Sequence, residues 1–522
     1  WVWVESRFNS WRHSELPVEP YVAGVTKLGR SLVRPVVLGF VGTTAIFFGA
    51  TQPNSPFTSK LLGSWYFGIP PQPLVQGYNP APGQWLFLGV VAVYGGILLL
   101  LRAWYDIVKL TSRRPGIPVA RLVPVFVVWV LPLLVVAPLF SRDVYDYAAQ
   151  GEMMSHGINP YLYGTSVIGS TPFSNLVDPL WKNVSSPYGP LFLIIDGWIV
   201  TLAHHNLLLS VVGLRALALG GVVMFALAVP SIARSFGRDP GTAFALAALS
   251  PLVLLHLVAG AHNDALMLGF LVAGYALARR GRPVIGIVLC GCAAAVKIPA
   301  LIGAVYIGWA WLGEGRSIRE RVRPVATALL IALGTMVGIS EAAGLGWGWV
   351  SGLTNPDTVR SWLDPATGIA LVLGHLVTIA GLGYHTHGIL TVTRGSAFFV
   401  AAVISLWLLG RSERIGPLKA LGWSLLVVVL LSPVVQPWYL SWGFVFLAPI
   451  AEGLVRRIVV VVSGIACFLG LPGGWALADE IGAANPVLVA VACTALVAIG
   501  AFFLLPKFRR ISPARKELVG SP

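Results

Sequence analysis

Residues 121–161 read RLVPVFVVWVLPLLVVAPLFSRDVYDYAAQGEMMSHGINPY. The first twenty, 121–140, hold a single charge, Arg121, among apolar side chains. At about 1.5 Å of rise per residue a helix of that length reaches across the roughly 30 Å hydrocarbon core of a bilayer. The character then changes within three residues, at Ser141-Arg142-Asp143, to acids, tyrosines and a Gly-Ile-Asn-Pro-Tyr turn. Such a junction predicts a transmembrane helix that ends at a membrane surface and hands over to a polar segment there.

The rest of the chain repeats the pattern. Of 522 residues 56% are hydrophobic and 11% charged, and the mean hydropathy is +0.79. Soluble domains carry about 25% charged residues, so this chain has too little charge for a water-facing surface, and lipid is its main solvent. Apolar runs at about 34–50, 83–102, 121–140, 206–233, 241–259, 264–279, 283–296, 298–313, 325–344, 395–410, 418–435, 438–455, 457–472 and 485–505 predict an all-α polytopic membrane protein of about fourteen helices. The net charge of +15 would raise nucleic acid as a partner in a soluble domain, but here the cations sit in short connections between apolar runs, as in cytoplasmic loops. Nucleic-acid binding is set aside.

That bias places the connections Arg102–Arg121, Arg234–Arg238, Arg279–Arg282, Arg316–Arg323, Arg411–Lys419, Arg456-Arg457 and Lys507–Lys516 on the cytoplasmic side. Residues 1–33, polar and basic with no signal-peptide core, form a cytoplasmic segment whose start is expected to be trimmed, as it has no initiator Met. Residues 34–120 carry two leading spans, 121–505 the core, and 506–522 a cytoplasmic basic tail. The apolar stretches 189–204 and 366–382 must then be interfacial or re-entrant on the outer face, within two large outer segments, 141–205 and 345–394. Long loops with their own short helices tend to carry function. Cys290, Cys292, Cys467 and Cys493 all fall inside apolar runs without metal-site spacing and read as packing residues.

Five constellations lie near the predicted outer surface. In a helix, Asp143 and Asp146 share one face at i, i+3, with Tyr147 beside Asp143 at i+4. Asp146 reads first as a helix-N-terminal carboxylate with Ser141 as cap, while Asp143 reads equally as that or as a reactive acid. Lys182 and Tyr188, in a proline-braced turn, face an anionic headgroup or anchor the loop. His262, Asn263 and Asp264 form a polar turn between two spans, suited to hydroxyl recognition or to plain turn-making. His262 and Asp264 are also candidate ligands of a divalent cation, though two ligands do not make a site. Lys297, in Ala-Val-Lys-Ile-Pro, is a phosphate partner or a snorkelling anchor. Gln436, Trp438 and Tyr439 read as aromatic belt or as cavity lining. His204, His205, His375, His385 and His387 show no convergent pattern. Only Asp196 and Arg215 hint at polar groups within the membrane, where a transporter would need them.

Taken together, Ser141-Arg142-Asp143, Tyr147, Ala149-Gln150-Gly151, Ala261-His262-Asn263-Asp264 and Pro437-Trp438-Tyr439 resemble one group, the actinobacterial GT-C glycosyltransferases that use polyprenol phosphate mannose to build the α-1,6-mannan backbone of lipomannan. The likeness runs from about residue 120 to 505. It implies a GT-C fold with juxtamembrane helices over a lipid-facing cavity, in the plasma membrane with both termini cytoplasmic and the active site on the periplasmic face. The family's catalytic acid maps onto Asp143, and Asp146 stands where relatives often carry a neutral residue. The substrate-facing set is then Arg142, Asp146, Tyr147, Lys182, Tyr188, His262, Asn263, Asp264, Lys297, Gln436, Trp438 and Tyr439. The implied partners are a polyprenol phosphate mannose donor, a mannosylated phosphatidylinositol or α-1,6-mannan acceptor, and the bilayer. No cofactor is required beyond an open question over a divalent cation. A β-linked donor and an α product demand inversion, with Asp143 as general base and Lys297, Arg142 or Lys182 facing the leaving phosphate. The competing readings are a lipid-linked sugar transporter and a GT-C enzyme of another sugar or linkage, arabinofuranosyl or α-1,2-mannosyl.

Overall fold

A computed structural model of the chain describes residues 18–51, 82–352, 360–361, 364–383 and 385–469. Every regular element among the described residues is helical, as hydrocarbon demands of a backbone that must satisfy its own hydrogen bonds. In chain order come α1 (Val18–Ala50), α2 (Pro82–Arg113), α3 (Val123–Val135), α4 (Asp143–Ser155), α5 (Pro172–Leu176), α6 (Pro190–Leu202), α7 (Leu207–Ser235) and α8 (Pro240–Ala247). A π-helical segment, Val253–Ala259, leads to α9 (Asp264–Arg279), α10 (Pro283–Ala294), α11 (Leu301–Ala310) and α12 (Ile318–Ala342). The last are α13 (Gly348–Gly352), α14 (Pro365–Ile379), α15 (Thr386–Gly410), α16 (Ser412–Ile415), α17 (Pro417–Leu430), α18 (Leu440–Leu447) and α19 (Gly453–Ala466).

Five helical segments are long and apolar enough to cross a bilayer: Ser31–Ala50, Leu88–Arg113, Leu207–Ser235, Ile318–Ala342 and Thr386–Gly410. A sixth arises if Val253–Ala259 and α9 count as one span, bent by 113° at the break between them. The chain is thus a polytopic helical membrane protein, but the described residues do not supply the fourteen spans that the apolar runs predict. The remaining apolar helices have 10–17 residues, and one of 13 residues rises only about 20 Å. Proline explains much of the shortfall, since it removes a donor and disfavours the helical conformation in the residue before it. Pro251 divides the 241–259 run into α8 and the π-helical segment, Pro299 sits in a 3₁₀ turn between α10 and α11, and Pro449 in another just after α18. The predictions for residues 1–17, for the run at 485–505, for the tail at 506–522 and for Cys493 lie outside the described residues.

A polar group inside the bundle acts as a fastener. Arg215 of α7 is buried and donates to the carbonyls of Leu134 and Ala259, each at 2.9 Å, and to that of Val136. It thereby satisfies carbonyls at the end of α3 and of the π-helical segment. Cys290 and Cys467 are buried. Helices α4 and α6 approach closely: a Cβ on Gly151 would lie 2.6 Å from the Asp196 carbonyl oxygen, so only glycine fits there. The segments 141–205 and 345–394 also meet, because Tyr161, Leu193 and Leu345 form one small apolar cluster. Asp364 Oδ1, further along the second segment, accepts the Val435 N–H one residue before Gln436.

Candidate active site

The site is assembled from four stretches of chain. The first is the reversal from α3 into α4, where Phe140 takes a left-handed φ of 64°. Ser141 Oγ accepts the Asp143 N–H at 3.0 Å, while Arg142 occupies the cap position without a side-chain capping bond. Asp143 opens α4 with its carboxylate at the positive end of the helix and its side chain 24% exposed. One turn on, Asp146 is buried and takes a 2.7 Å bond from Gln150 Nε2. Burial pushes its carboxyl well above the usual range, the charges of Asp143 and Asp178 add to that, and the Gln150 bond opposes it. Asp146 is therefore not the solvated dipole carboxylate that its spacing suggests; it is a buried acid that favours its neutral form. Tyr147, also buried, meets Tyr188 and Phe192 edge-on at 5.1 and 4.9 Å.

The second stretch is the break between the π-helical segment and α9. Ala261 adopts φ 55°, which turns the fully buried His262 back into the protein. Its Nδ1 lies 2.7 Å from the His256 carbonyl. A carbonyl only accepts, so the proton belongs on Nδ1 and the neutral ring presents Nε2 as an acceptor. That Nε2 faces Asp143 Oδ2 at 3.7 Å. The Trp438 ring stacks on the imidazole at 3.8 Å with a 20° tilt. Asn263 is buried beside it with both amide atoms lacking a protein partner, as do His262 Nε2 and Trp438 Nε1.

Asp264, buried at the start of α9, is fully engaged: Lys297 Nζ bonds Oδ2 at 2.8 Å and Trp442 Nε1 bonds Oδ1 at 2.6 Å. Lys297 belongs to the third stretch. It is not a snorkelling cation: its side chain is 12% exposed and stands over Tyr439, Trp442 and Tyr188 at 4.6, 5.7 and 5.9 Å. Its backbone is set by the proline-braced turn, since the Gly189 N–H donates to the Val296 carbonyl at 2.9 Å and a Cβ on Gly189 would lie 2.3 Å from Ala295. The fourth stretch, the 3₁₀ turn Pro437–Tyr439 and the start of α18, supplies the aromatic wall. Trp438 is 5% exposed, stacked against His262 in the interior of the described structure. Burial holds the hydroxyls of Tyr188 and Tyr439 well above the usual tyrosine range, with nearby carboxylates adding to the effect, so both remain neutral donors.

The structure thus brings together Asp143, Tyr147, Tyr188, His262, Asn263, Asp264, Lys297, Trp438 and Tyr439. The hydrogen bonds and ion pairs of the described residues do not tie Arg142, Lys182 or the Gln436 side chain to this group. Both Asp264 oxygens are bonded, to Lys297 and to Trp442, while His262 Nε2 faces Asp143 instead. Sequence reasoning missed two members. Trp442 was legible, lying three residues after Tyr439 and so on the same helical face. The His256 carbonyl that fixes the His262 ring had no signal.

A helical membrane protein with an acid, a histidine and a caged lysine gathered beside an aromatic wall has the makings of a membrane-embedded transferase, and comparison with known proteins supplies the family. Residues 36–313 match the alpha-(1->6)-mannopyranosyltransferase N-terminal domain, and residues 366–504 match the MptB C-terminal domain. The chain is 31% identical to Alpha-(1->6)-mannopyranosyltransferase A of Mycobacterium tuberculosis over 454 residues, 83% of each chain. It is 34% identical to a probable alpha-(1->6)-mannopyranosyltransferase of Mycolicibacterium smegmatis, over 70% of this chain and 73% of that one. With Alpha-(1->6)-mannopyranosyltransferase B of Corynebacterium glutamicum the identity is 32%, over 73% and 69%. No solved structure matches. The chain belongs to the alpha-(1->6)-mannopyranosyltransferase family and is an enzyme, a mannosyltransferase. The match begins at residue 36, so the family region takes in the leading helices that the resemblance left out.

Proposed function

We propose that this enzyme transfers mannose, with inversion, from polyprenol phosphate mannose to the 6-hydroxyl of an α-mannan acceptor in lipomannan assembly, at the non-cytoplasmic face of a GT-C-type plasma-membrane fold. The observation that carries the reading is the placing of a largely buried acid, Asp143, opposite the acceptor nitrogen of His262 at 3.7 Å, beside an ammonium caged at Asp264. In the reaction the acceptor O6 forms a bond to C1 of mannose as the bond from C1 to the phosphate oxygen breaks. The electron pair of the broken bond stays on the phosphate, and the hydroxyl proton passes to Asp143.

A sugar hydroxyl is roughly ten pKa units weaker an acid than an aspartic acid, so Asp143 takes the proton only as the new bond forms, contributing about 10²–10⁴-fold. The leaving group is a phosphate and needs no proton, only stabilisation of its growing charge. An ammonium has three N–H donors. One of those on Lys297 is committed to Asp264, and the others are available to the phosphate. The unpartnered atoms of Asn263 and Trp438 suit sugar hydroxyls, since buried polar groups are normally hydrogen-bonded.

The experiment is a vesicle assay with polyprenol phosphate carrying labelled mannose and short α-1,6-mannosides. The expected product is a labelled mannoside lengthened through an α-1,6 bond, formed when the acceptor is presented at the non-cytoplasmic face. Label that crosses the bilayer without changing its chemistry would instead make the protein a transporter, and an α-1,2 product would reassign the linkage.

A further inference from the structure

The other end of α4 carries a second gathering of ligand-type side chains, outside the site just described. Glu152, His156 and His205 each offer one ligand atom, and these atoms all lie within 4.8 Å of one another. His205 Nδ1 stands 2.8 Å from Glu152 Oε2, and His156 Nδ1 3.7 Å from Glu152 Oε1. The two imidazoles approach at 5.3 Å between centroids with a 55° tilt.

We propose that Glu152, His156 and His205 bind a divalent transition metal of the zinc class, which fastens the end of α4 to the connection between α6 and α7. Two imidazoles and one carboxylate are the donor set of many three-residue zinc sites, with solvent free to take the fourth position. Glu152 does not pair with His205 alone: His156, the third residue, stands at the same carboxylate. His156 Nδ1 lies 2.9 Å from the Glu152 main-chain carbonyl, which places the proton on Nδ1 and leaves Nε2 as a lone pair. A metal-binding histidine usually has its other nitrogen tied to a carbonyl or carboxylate in this way. The backbone points the same way: His204 and His205 both take left-handed φ values, 50° and 56°, at the C-terminal end of α6, where glycine is the usual occupant. That conformation swings the His205 ring back over Glu152.

Glu152 is nine residues along α4 from Asp143, about 14 Å of helix rise, so the ion would not touch the reacting atoms. Its part is positional: it holds the far end of the helix whose first residue is Asp143. The inference stands whether or not the proposed donor and acceptor are right.

The test uses the full chain purified in detergent, stripped with chelator and titrated with Zn²⁺ and with Co²⁺. One ion per chain is expected, with Co²⁺ showing the intense visible bands of low coordination and Zn²⁺ raising the thermal midpoint. Glu152→Gln, His156→Gln and His205→Gln should each weaken binding by at least about 10-fold, and the double variant H156Q/H205Q should lose the thermal response. His375→Gln, an exposed histidine on α14, should bind like the parent. Absence of stoichiometric binding to the parent protein, which needs no substitution to read, would reduce the cluster to an ion pair with a neighbouring ring. Binding that survives the double variant would place the ion elsewhere.

Discussion

Each end of helix α4 sets an acid against a histidine: Asp143 faces His262 at 3.7 Å, and Glu152 faces His205 at 2.8 Å. The surroundings make them different. At the Asp143 end the imidazole is fully buried, stacked under Trp438 and locked to a carbonyl, and an ion pair beside it, Asp264 with Lys297, is walled in by three aromatic rings. At the Glu152 end both imidazoles are about half exposed, at 55% and 46%. A dry, preorganised pair can hold a substrate hydroxyl with little competition from water, whereas a wet pair is suited to a ligand that arrives from solvent. Both ends are reached through left-handed non-glycine residues, Phe140 and Ala261 at one and His204 and His205 at the other, in keeping with the tendency of backbone strain to collect where side chains are aimed at ligands.

The comparison is broken most severely by removing the anion of the dry end. Asp264→Asn leaves the Lys297 ammonium in a buried site without its counter-charge, and breaking such a pair costs about 3–5 kcal/mol. Thermal unfolding in detergent should show that loss together with weakened donor use; a loss below about 1 kcal/mol would mean that water reaches Lys297 as freely as it does the far end. A smaller effect is expected from Trp438→Leu, which takes the stacked ring off His262. Aromatic pairing is worth about 0.5–1.5 kcal/mol beyond its buried area, so turnover should fall by up to roughly tenfold through loosening of His262. Unchanged turnover would make the stack mere packing.

A pH-dependent effect lies between the two ends, at Asp146. Its folded-state pKa is raised by burial. Below about pH 4, the ordinary carboxylate value, both folded and unfolded states keep the proton and burial carries no penalty. As the pH rises above that value the unfolded chain ionises first, so the folded state loses stability until its own carboxyl titrates. Asp146→Asn keeps an acceptor for Gln150 and abolishes that slope. The variant's thermal midpoint should exceed the parent's at pH 8, with the gap closing toward pH 5. A gap independent of pH would show that Asp146 is ionised in the folded protein.

Much of the fold is written in composition. The runs at 34–50, 83–102 and 395–410 lie within α1, α2 and α15, and those at 206–233 and 325–344 overlap α7 and α12. The number of crossings was not legible, because hydropathy sums residues without registering that Pro251 or Pro449 divides an apolar run. Of the candidate site, Asp143, His262, Asp264 and Lys297 could each be singled out as polar groups beside apolar runs. That Asp264 holds Lys297, thirty-three positions away, depends on tertiary packing and had no local pattern. The same holds for the far end of α4: Glu152 and His156 sit at i, i+4, but His205 is fifty-three positions from Glu152 and joins them only because α6 folds back along α4. Asp146 misled for a related reason. Its spacing from Asp143 fixes the helix face but not which neighbouring helix covers it.

The account rests on Asp143 as the proton acceptor, and the most direct measurement is single-turnover mannosyl transfer by Asp143→Asn in membranes saturated with donor and acceptor. Asparagine preserves the size of the side chain and its place at the start of α4 but accepts a proton far less readily. Transfer should slow by about 10²–10⁴-fold while donor binding and thermal midpoint stay near those of the parent. Transfer within a few-fold of the parent rate would contradict the account and move the base to another residue.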